Sequence, residues 1–362
     1  MFLCERKRDM GVRIRTWVLY AGFGRAPVKS IVDVLLPGCI LSPRPLSFEL
    51  KIIGMFEQNR QIMKRGWIIW GTGVIMAALT GCYFDGPCID GTGPVISEIR
   101  VTESFSAVTN TGSFRVQVFL SDSCSVEVRA QENLLPLIET YVSGNSLIIK
   151  TKTGTCIGPA SPMVIHVTLP FIEELKLTGS GNLELDEAAG DFFECANSGS
   201  GSVHVGRVAA GEMVIGNSGS GTIFVDESDV EEVTLVQSGS GIIEAAAVYG
   251  SSDVSVRHSS SGRVRSTIVD GIHVSGILSG SGRIDLTGGS DEADFTLSAS
   301  GRIDALELMV AEVKATNSGS GNIHVYATES LEATIIGSGD IIYRGDPVIS
   351  YRITGSGDLV HY

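Results

Sequence analysis

Arginine and aspartate side chains recur at matching places in three short segments, Gly262–Arg265, Gly282–Asp285 and Gly301–Asp304. In each segment an arginine follows the glycine, and a second charged residue stands two positions after that arginine. Guanidinium groups bind carboxylates through paired hydrogen bonds, and a carboxylate near an arginine can take part in proton transfer. The candidate ligand-binding face therefore consists of Arg263, Arg265, Arg283, Asp285, Arg302 and Asp304.

Three interpretations of this face remain open. Opposite charges on neighbouring strands form ordinary solvated ion pairs, whereas free arginines bind a carboxylated glycan. Parallel β-helix polysaccharide lyases also place acidic residues on such a face, together with calcium and an arginine or lysine base. The acidic residues here form no tight cluster of three or four carboxylates of the kind that calcium prefers. The sequence therefore favours ion pairing first, glycan binding second and catalysis last.

These segments belong to a repeat built on the tetrapeptide Ser-Gly-Ser-Gly. Successive copies lie 18 to 21 residues apart, a spacing typical of proteins built from stacked coils. The complete copies are Ser198–Gly201, Ser218–Gly221, Ser238–Gly241, Ser279–Gly282 and Ser318–Gly321. The degenerate copies are Thr178–Gly181, Ser259–Gly262, Ser298–Gly301, Ile336–Gly339 and Thr354–Gly357.

Apolar residues alternate with polar residues on both sides of each tetrapeptide. Every copy is followed, two residues after its last glycine, by leucine, isoleucine or valine. This period of two indicates strands with one buried face, a pattern that a flexible Gly/Ser linker would not keep. The sequence therefore predicts an all-β fold, a parallel solenoid of about ten coils of 18–21 residues over 171–362, with an N-terminal β cap or irregular first coils over 95–170.

Stacking predicts which side chains lie beside one another, because each coil sits about 4.8 Å from the next. One outward column is expected to contain Arg263, Arg283 and Arg302, and the next Arg265, Asp285, Asp304 and His324. The serine before each final glycine is also expected to point outward. An inward ladder that bonds between coils is expected for Asn197, Asn217, Gln237, His258 and Asn317. The glycines are explained either by a narrow coil or by a positive φ.

The charge of the chain is unevenly distributed. The formal net charge is −14, but residues 1–81 hold 12 of the 27 basic and 5 of the 41 acidic side chains, which leaves −21 on the remainder. A surface this acidic repels phosphate backbones, so nucleic acid is excluded as an expected partner.

The amino-terminal stretch has the features of an export signal. Met63–Arg65 carries two positive charges, and the apolar run Trp67–Leu79 is 13 residues long, shorter than the roughly 20 that span a bilayer. The stretch predicts a signal peptide over 63–81. Leu79–Cys82 is similar to the lipobox of bacterial lipoproteins, which implies lipidation of Cys82; residues 82–94 are interpreted as a tether. An ordinary signal with an incidental cysteine is the alternative. Residues 1–62 are interpreted as spurious upstream translation or a disordered extension.

Cysteines suggest one cross-link. An exported chain that begins at a lipidated Cys82 retains Cys88, Cys124, Cys156 and Cys195, and an exported location permits disulfides. We expect a possible disulfide between Cys124 and Cys156, which flank strands of the cap, and a buried thiol at Cys195. No pair of cysteines has the spacing of a zinc site, so no metal is expected.

Four segments before the repeats carry a family resemblance: Phe105–Val108, Phe114–Val118, Glu132–Thr140 and Leu147–Lys150. Together with the serial Ser-Gly-Ser-Gly coils, they resemble the head GIN domain family of auto-transporter adhesins, from about Ile96 to Tyr362. The resemblance implies a right-handed, single-stranded β-helix on exported lipoproteins of Bacteroidota-type bacteria. It implies no enzyme activity and provides no catalytic residues.

The sequence thus predicts a non-catalytic lipoprotein of the cell envelope with an adhesin-like β-helix head. Its expected work is surface adhesion, glycan binding or envelope scaffolding, without a cofactor. The expected partners are the membrane, through the lipid anchor, and a polysaccharide or surface protein. The expected location is the outer membrane, facing the periplasm or the outside. The alternative is a polysaccharide lyase or hydrolase that uses the arginine–aspartate face of coils 262–304.

Overall fold

The computed structural model describes residues 88–158 and 163–362, and the backbone of two short strands, β1 (Arg13–Thr16) and β2 (Val32–Leu35). These two strands pair antiparallel within a unit that spans Met1–Gly81, and a second compact unit spans Cys82–Tyr362. The predicted signal peptide, the lipidation site Cys82 and the first residues of the tether lie outside the described residues. No helix among the described residues combines the length and the hydropathy needed to cross a bilayer.

The regular structure among the described residues of the second unit is almost all strand, with one 3-10 helix at Leu135–Leu137. Before the repeats, the strands are β3 (Val95–Arg100), β4 (Ala107–Asn110), β5 (Arg115–Leu120), β6 (Ser125–Gln131), β7 (Ile138–Ser143), β8 (Ser146–Thr151) and β9 (Val164–Leu169). Within the repeats they are β10 (Glu174–Leu177), β11 (Asn182–Asn197), β12 (Ser202–Asn217), β13 (Thr222–Gln237), β14 (Ile242–Tyr249), β15 (Asp253–His258), β16 (Arg263–Leu278), β17 (Arg283–Leu297), β18 (Arg302–Asn317), β19 (Asn322–Ile335), β20 (Ile341–Arg344), β21 (Val348–Ile353) and β22 (Leu359–His361).

The repeats form the predicted parallel solenoid. Each long strand pairs with the next in parallel, so that Leu183 lies beside Val203 and Val203 beside Ile223. The tetrapeptides are the corners between strands, and together they bound about nine turns. The aliphatic residues that follow the corners are nearly all fully buried, which confirms the one-sided burial that the alternation predicted. The core is therefore a column of aliphatic side chains along the solenoid axis.

Close approach of the coils explains the corner glycines. A Cβ on Gly201 would overlap the carbonyl oxygen of Gly181 in the coil beneath, and a Cβ on Gly321 would overlap that of Gly301. Gly201 and Gly321 do not have the left-handed φ that would by itself require glycine. Of the two explanations offered by the sequence, the narrow coil is the one that the structure supports.

The buried side chains bond within their own coil, and three of the five, Asn217, His258 and Asn317, also bond to a neighbouring coil, so the predicted ladder between coils is confirmed in part. Asn197 Nδ2 donates to the carbonyl oxygen of Gly201 at 3.0 Å, and its Oδ1 accepts from the amide of Gly199 at 2.9 Å. Asn217 and Asn317 repeat this arrangement around their own corners, each with one further bond of 3.2 Å to the next coil. The amides cap the tight corners, and the carbonyl oxygens of Gly201 and Gly221 also accept a backbone hydrogen bond from the next coil.

The segment before the repeats contains both coils and a cap, in an order that differs from the order along the chain. β4 and β5 lie between two other layers: they pair in parallel with β10 and β11 on one side and with β8 and β9 on the other. Beyond β8 and β9, the stack ends in antiparallel strands, with β7 beside β8 and β6 beside β9, and β3 beside β6. The predicted hairpin at Gly144 joins β7 to β8, and Gly144 has a φ of 66°.

The predicted disulfide is wrong. Cys156 is bonded to Cys88, with their Cα atoms 4.5 Å apart, and Cys124 has a free, half-buried thiol. A short parallel contact between Ile89 and Ile157 causes this pairing, because Ile89 donates its backbone N–H to the carbonyl oxygen of Cys156 at 2.8 Å. Cys195 is buried as predicted, and burial raises the pKa of its thiol far above its ordinary value.

Candidate functional site

The register of the coils confirms both predicted columns of the candidate face. β16, β17 and β18 place Arg263 beside Arg283 and Arg283 beside Arg302. Two residues farther along the same strands, the second column contains Arg265, Asp285, Asp304 and His324. Each arginine begins a strand directly after a corner glycine, so the corner fixes where its backbone starts.

Ion pairs link the two columns. Arg283 contacts Asp285 through Nε and Asp304 through Nη2, the latter at 2.9 Å. Arg263 Nε lies 3.6 Å from the second oxygen of Asp285. The two carboxylates are mostly covered by these arginines, with 17% and 22% of their side chains exposed. Both aspartates are therefore occupied as partners of guanidinium groups, as the ion-paired interpretation predicted.

One arginine of the face is not neutralised. Arg302 is exposed and forms no ion pair with any residue that the structure describes. Arg265, at the opposite side of the face, pairs instead with Glu244 of the coil beneath, at 3.2 Å. The face thus carries four guanidinium groups and three carboxylates. The excess positive charge is at Arg302, the member of the first column nearest the C-terminal end.

A shallow groove of about 420 Å³ runs beside the first column of arginines. Its other wall is the outward serine ladder, whose members are exposed as predicted. We call this feature the serine–arginine groove; it is lined by Ser240, Gly241, Ile242, Ser261, Gly262, Arg263, Ser281, Gly282, Arg283, Ser300, Gly301 and Arg302. Ser240 and Ser261 hydroxyls lie 3.3 Å apart, so a ladder of hydrogen-bonding groups faces the guanidinium groups across a floor of buried glycines.

His324 is the last residue of the second column, and its side chain is uncharged. Its side chain is 13% exposed, and neither ring nitrogen has a hydrogen-bond partner among the described residues. Burial lowers the pKa of His324, and the guanidinium groups of Arg302 and Arg283 lower it further, against the opposite effect of Asp304. The imidazole is therefore neutral at neutral pH, and the positive charge of the groove comes from arginine alone.

The sequence identified both sets of residues in the groove but did not join them. The serine stands one position before each final glycine and the arginine one position after it, so both point outward from the same corner. That spacing could have predicted the groove. Glu244 was also missed, although it stands three residues after Gly241, as Arg265 stands after Gly262, so the repeat spacing could have placed it beside Arg265. In the described part of the chain, no three His, Cys, Asp or Glu side chains are grouped as a metal site requires.

The stacked parallel coils and their corner groove define the class of this protein, a β-solenoid repeat protein with a polar, arginine-lined face. A family model described as "Putative auto-transporter adhesin, head GIN domain" matches residues 104–275 and 247–347, and the chain belongs to this family. The membership confirms the resemblance seen in the sequence. The family is one of adhesin-like proteins, which are associated with the cell envelope or surface.

Solved structures with a similar chain come from species of Parabacteroides and Bacteroides. A protein named "Putative lipid binding protein" from Parabacteroides distasonis is 25% identical, with a TM-score of 0.48 over 76% of this chain and 100% of that one. A putative adhesin from Parabacteroides merdae is 20% identical, with a TM-score of 0.45 over the same shares. A putative adhesin from Bacteroides fragilis is 18% identical, with a TM-score of 0.35, again over 76% and 100%. No curated protein matches the sequence.

Proposed function

We propose that this chain is a non-catalytic, adhesin-like lipoprotein that binds carboxylated glycans in the serine–arginine groove. The observation that carries the proposal is the unneutralised Arg302 at the end of an arginine column that faces a ladder of serine hydroxyls. A guanidinium group binds a carboxylate bidentately, and serine hydroxyls bond the neutral hydroxyls of a sugar. The groove is open and runs across several coils, which suits an extended polymer better than a small molecule.

Electrostatics support an acidic ligand at this place. The part of the chain after residue 81 carries a net charge of −21, so most of its surface repels a polyanion. The groove is a local exception, since its arginines outnumber the carboxylates that pair with them. A carboxylated polymer would therefore be directed to the groove and away from the rest of the surface.

Anchoring of this head by Cys82 completes the proposal. The motif Leu79–Cys82 follows a short apolar run with basic residues before it, which supports export and lipidation at an outer membrane. Several acyl chains on one residue give a stable anchor, where a single chain gives marginal binding. Mass spectrometry of the protein from the membrane fraction tests this part: an acylated amino-terminal Cys82 supports it, and peptides from residues 1–62 or an unmodified Cys82 contradict it.

Retention of the unit 83–362 on immobilised polygalacturonate tests the groove, with neutral dextran as the uncharged comparison. Arg302→Ala is expected to weaken binding about tenfold or more, because a charge-assisted hydrogen bond contributes about 1.5–3 kcal/mol. Arg129→Ala, which removes an exposed arginine from β6 in the cap, is the matched control and should leave binding unchanged. Absence of retention, or equal weakening by both substitutions, would contradict the proposal.

The lyase alternative is examined in the same experiment. The structure offers no observation that favours it, since Asp285 and Asp304 are each engaged by Arg283. We expect the chain length of the bound polygalacturonate to be unchanged after incubation with or without calcium. Shortening that Asp285→Ala abolishes would replace the binding function with a catalytic one.

A further inference from the structure

The end of the solenoid opposite β22 is formed by two strands that each have one strand partner. β3 pairs with β6, which pairs with β9, and β7 pairs with β8. Among the described residues, the other edges of β3 and β7 have no strand beside them. We call β3, β7, the 3-10 helix between β6 and β7, and the residues directly after β3 the base of the solenoid.

The base exposes aliphatic side chains. Ile99 is 76% exposed and Val101 is fully exposed, while Val95 and Ile96 are about two-fifths exposed. Tyr141 of β7 adds a half-exposed ring with the Lys150 ammonium 5.2 Å from its centroid. Val95, Ile99 and Val101 alternate along the chain and so share one face, and aliphatic residues grouped on the surface of a soluble domain commonly mark a binding surface.

Hydrogen bonds hold β3 firmly in this position. Arg100, the one residue of β3 that is not exposed, donates to the carbonyl oxygens of Ile138 at 2.5 Å and Leu135 at 3.0 Å. Its Nη1 also lies 3.2 Å from the hydroxyl of Thr140, to which it donates. The guanidinium group thus joins β3 to the 3-10 helix and to β7. The exposed side chains of Ile99 and Val101 are therefore presented next to a fixed arginine.

The segment that could act as a free tether after Cys82 is short, because the disulfide attaches the chain to the cap at Cys88. Cys88 is bonded to Cys156, and Thr92 donates its backbone N–H to Asn133 Oδ1 at 2.8 Å. The part of the predicted tether from Cys88 onward is thus attached to the cap. Six residue steps separate Cys82 from Cys88, and a fully extended chain covers at most about 3.6 Å per step, or roughly 20 Å. An anchor at Cys82 would keep Cys88, and with it the attached cap, close to the bilayer.

We infer that the base rests on the lipid surface, with Ile99 and Val101 inserted at the boundary between headgroups and acyl chains. The inference rests on the proposed anchor at Cys82. That anchor would hold the base at a high local concentration of lipid, so that a small apolar contact would be enough to keep the base on the membrane. A zwitterionic surface is the expected partner, because the net charge of −21 opposes anionic lipid. The solenoid then extends away from the membrane, and Gly282 in the groove lies five coils, about 24 Å, farther out than Gly181.

Tryptophan fluorescence tests this orientation without emission from native tryptophans. The three tryptophans of the chain all precede residue 82, so a single introduced tryptophan reports alone in the unit 83–362. Ile99→Trp places the reporter at the base, and Val348→Trp is the control because Val348 is 79% exposed on β21 at the opposite end. A hexahistidine tag directly before residue 83 attaches the protein to phosphatidylcholine vesicles that contain a nickel-chelating lipid and brominated acyl chains.

We expect the emission of the Ile99→Trp protein to shift to shorter wavelength and to be quenched several-fold more than that of the Val348→Trp protein. Val101→Trp should behave like Ile99→Trp, which guards against a local effect of one substitution. Equal quenching at both ends, strong or weak, would overturn the inference, as would stronger quenching at Val348→Trp. Because the tag replaces the natural anchor, these outcomes concern the base itself, whereas mass spectrometry of Cys82 separately tests the anchor.

Discussion

At the scale of single residues, the corner glycines are determined by the backbone of the neighbouring coil. Gly201 lies against Gly181, whereas Gly216, on the outward face one residue before the end of β12, has no heavy atom near the position of a Cβ. We expect Gly201→Ala to lower the free energy of unfolding by about 3 kcal/mol, the upper part of the range for overpacking. Gly216→Ala should raise it by about 0.5–1 kcal/mol, because alanine costs less entropy in a strand. Urea unfolding of both variants measures the difference, and equal effects would contradict the close-approach explanation.

The pKa values of two histidines, His273 and His324, are shifted in opposite directions. The carboxylate of Asp253, 2.9 Å from Nδ1, raises the pKa of His273 above its ordinary value, against the effect of partial burial, and Asp294 adds to the increase at Nε2. Burial lowers the pKa of His324. NMR titration should therefore show His324 losing its proton at lower pH than His273, with the ordinary value of about 6.5 between them. The reverse order would contradict the ion pairs that the structure assigns to His273.

The titration of His273 also has a consequence for stability. Its pKa is higher in the folded chain, so its stabilising contribution is complete below the unfolded value and is lost as the pH rises through the folded value. His324, with a lowered pKa, gives the opposite dependence: folding is favoured by the neutral ring above the unfolded value. His273→Gln should thus reduce the melting temperature more at pH 5.5 than at pH 8.5.

At the scale of elements, the disulfide joins the entering chain to the cap. The bonded cysteines are 68 residues apart, and closing a loop of that length stabilises a fold by about 4 kcal/mol in the chain-entropy description. The double variant Cys88→Ser, Cys156→Ser should therefore unfold with a free energy lower by about 2–4 kcal/mol. Cys124→Ser, which changes a free thiol, is the control and should have little effect in the same urea titration. Unchanged unfolding of the double variant would show that the cap is stable without the bond.

The bond between Cys88 and Cys156 was not predicted because the first coils do not stack in the order of the chain. Cys124 and Cys156 flank strands that are near one another in sequence, but β4 and β5 stack between β8 and β10–β11 while the chain first turns through the cap. Loops that are neighbours along the chain are therefore not neighbours in space. Only the contact between Ile89 and Ile157, which no sequence period indicates, brings Cys88 to Cys156.

At the scale of the whole molecule, the groove and the base lie at separate places along one stack, and their proposed partners differ accordingly. The base exposes aliphatic side chains close to the end of the short tether, and the groove presents arginine and serine several coils beyond it. A solenoid suits this separation because each coil contacts mainly its neighbours, so one end can serve attachment while another segment binds a ligand. The apolar base and the arginine-lined groove are therefore tested by independent substitutions.

The architecture of the repeats follows from the amino-acid sequence. A period of 18–21 residues, with apolar residues at even positions around each corner, permits one stacking register, and that register aligned Arg263, Arg283 and Arg302. The same reasoning placed the second column correctly, because a one-residue slip would turn the buried face outward.

Other features depend on contacts that follow no sequence period, and these became visible in the folded chain. The order of the first coils, the bond from Cys88 to Cys156 and the exposed edge of β3 all depend on residues whose separation in sequence follows no repeat. The lack of an ion pair at Arg302 is a further example, because Asp304 pairs with Arg283 of the neighbouring coil. A repeat specifies backbone register, because every coil must bury the same face; which charged side chains then pair is decided by distances of a few ångströms that the spacing does not contain.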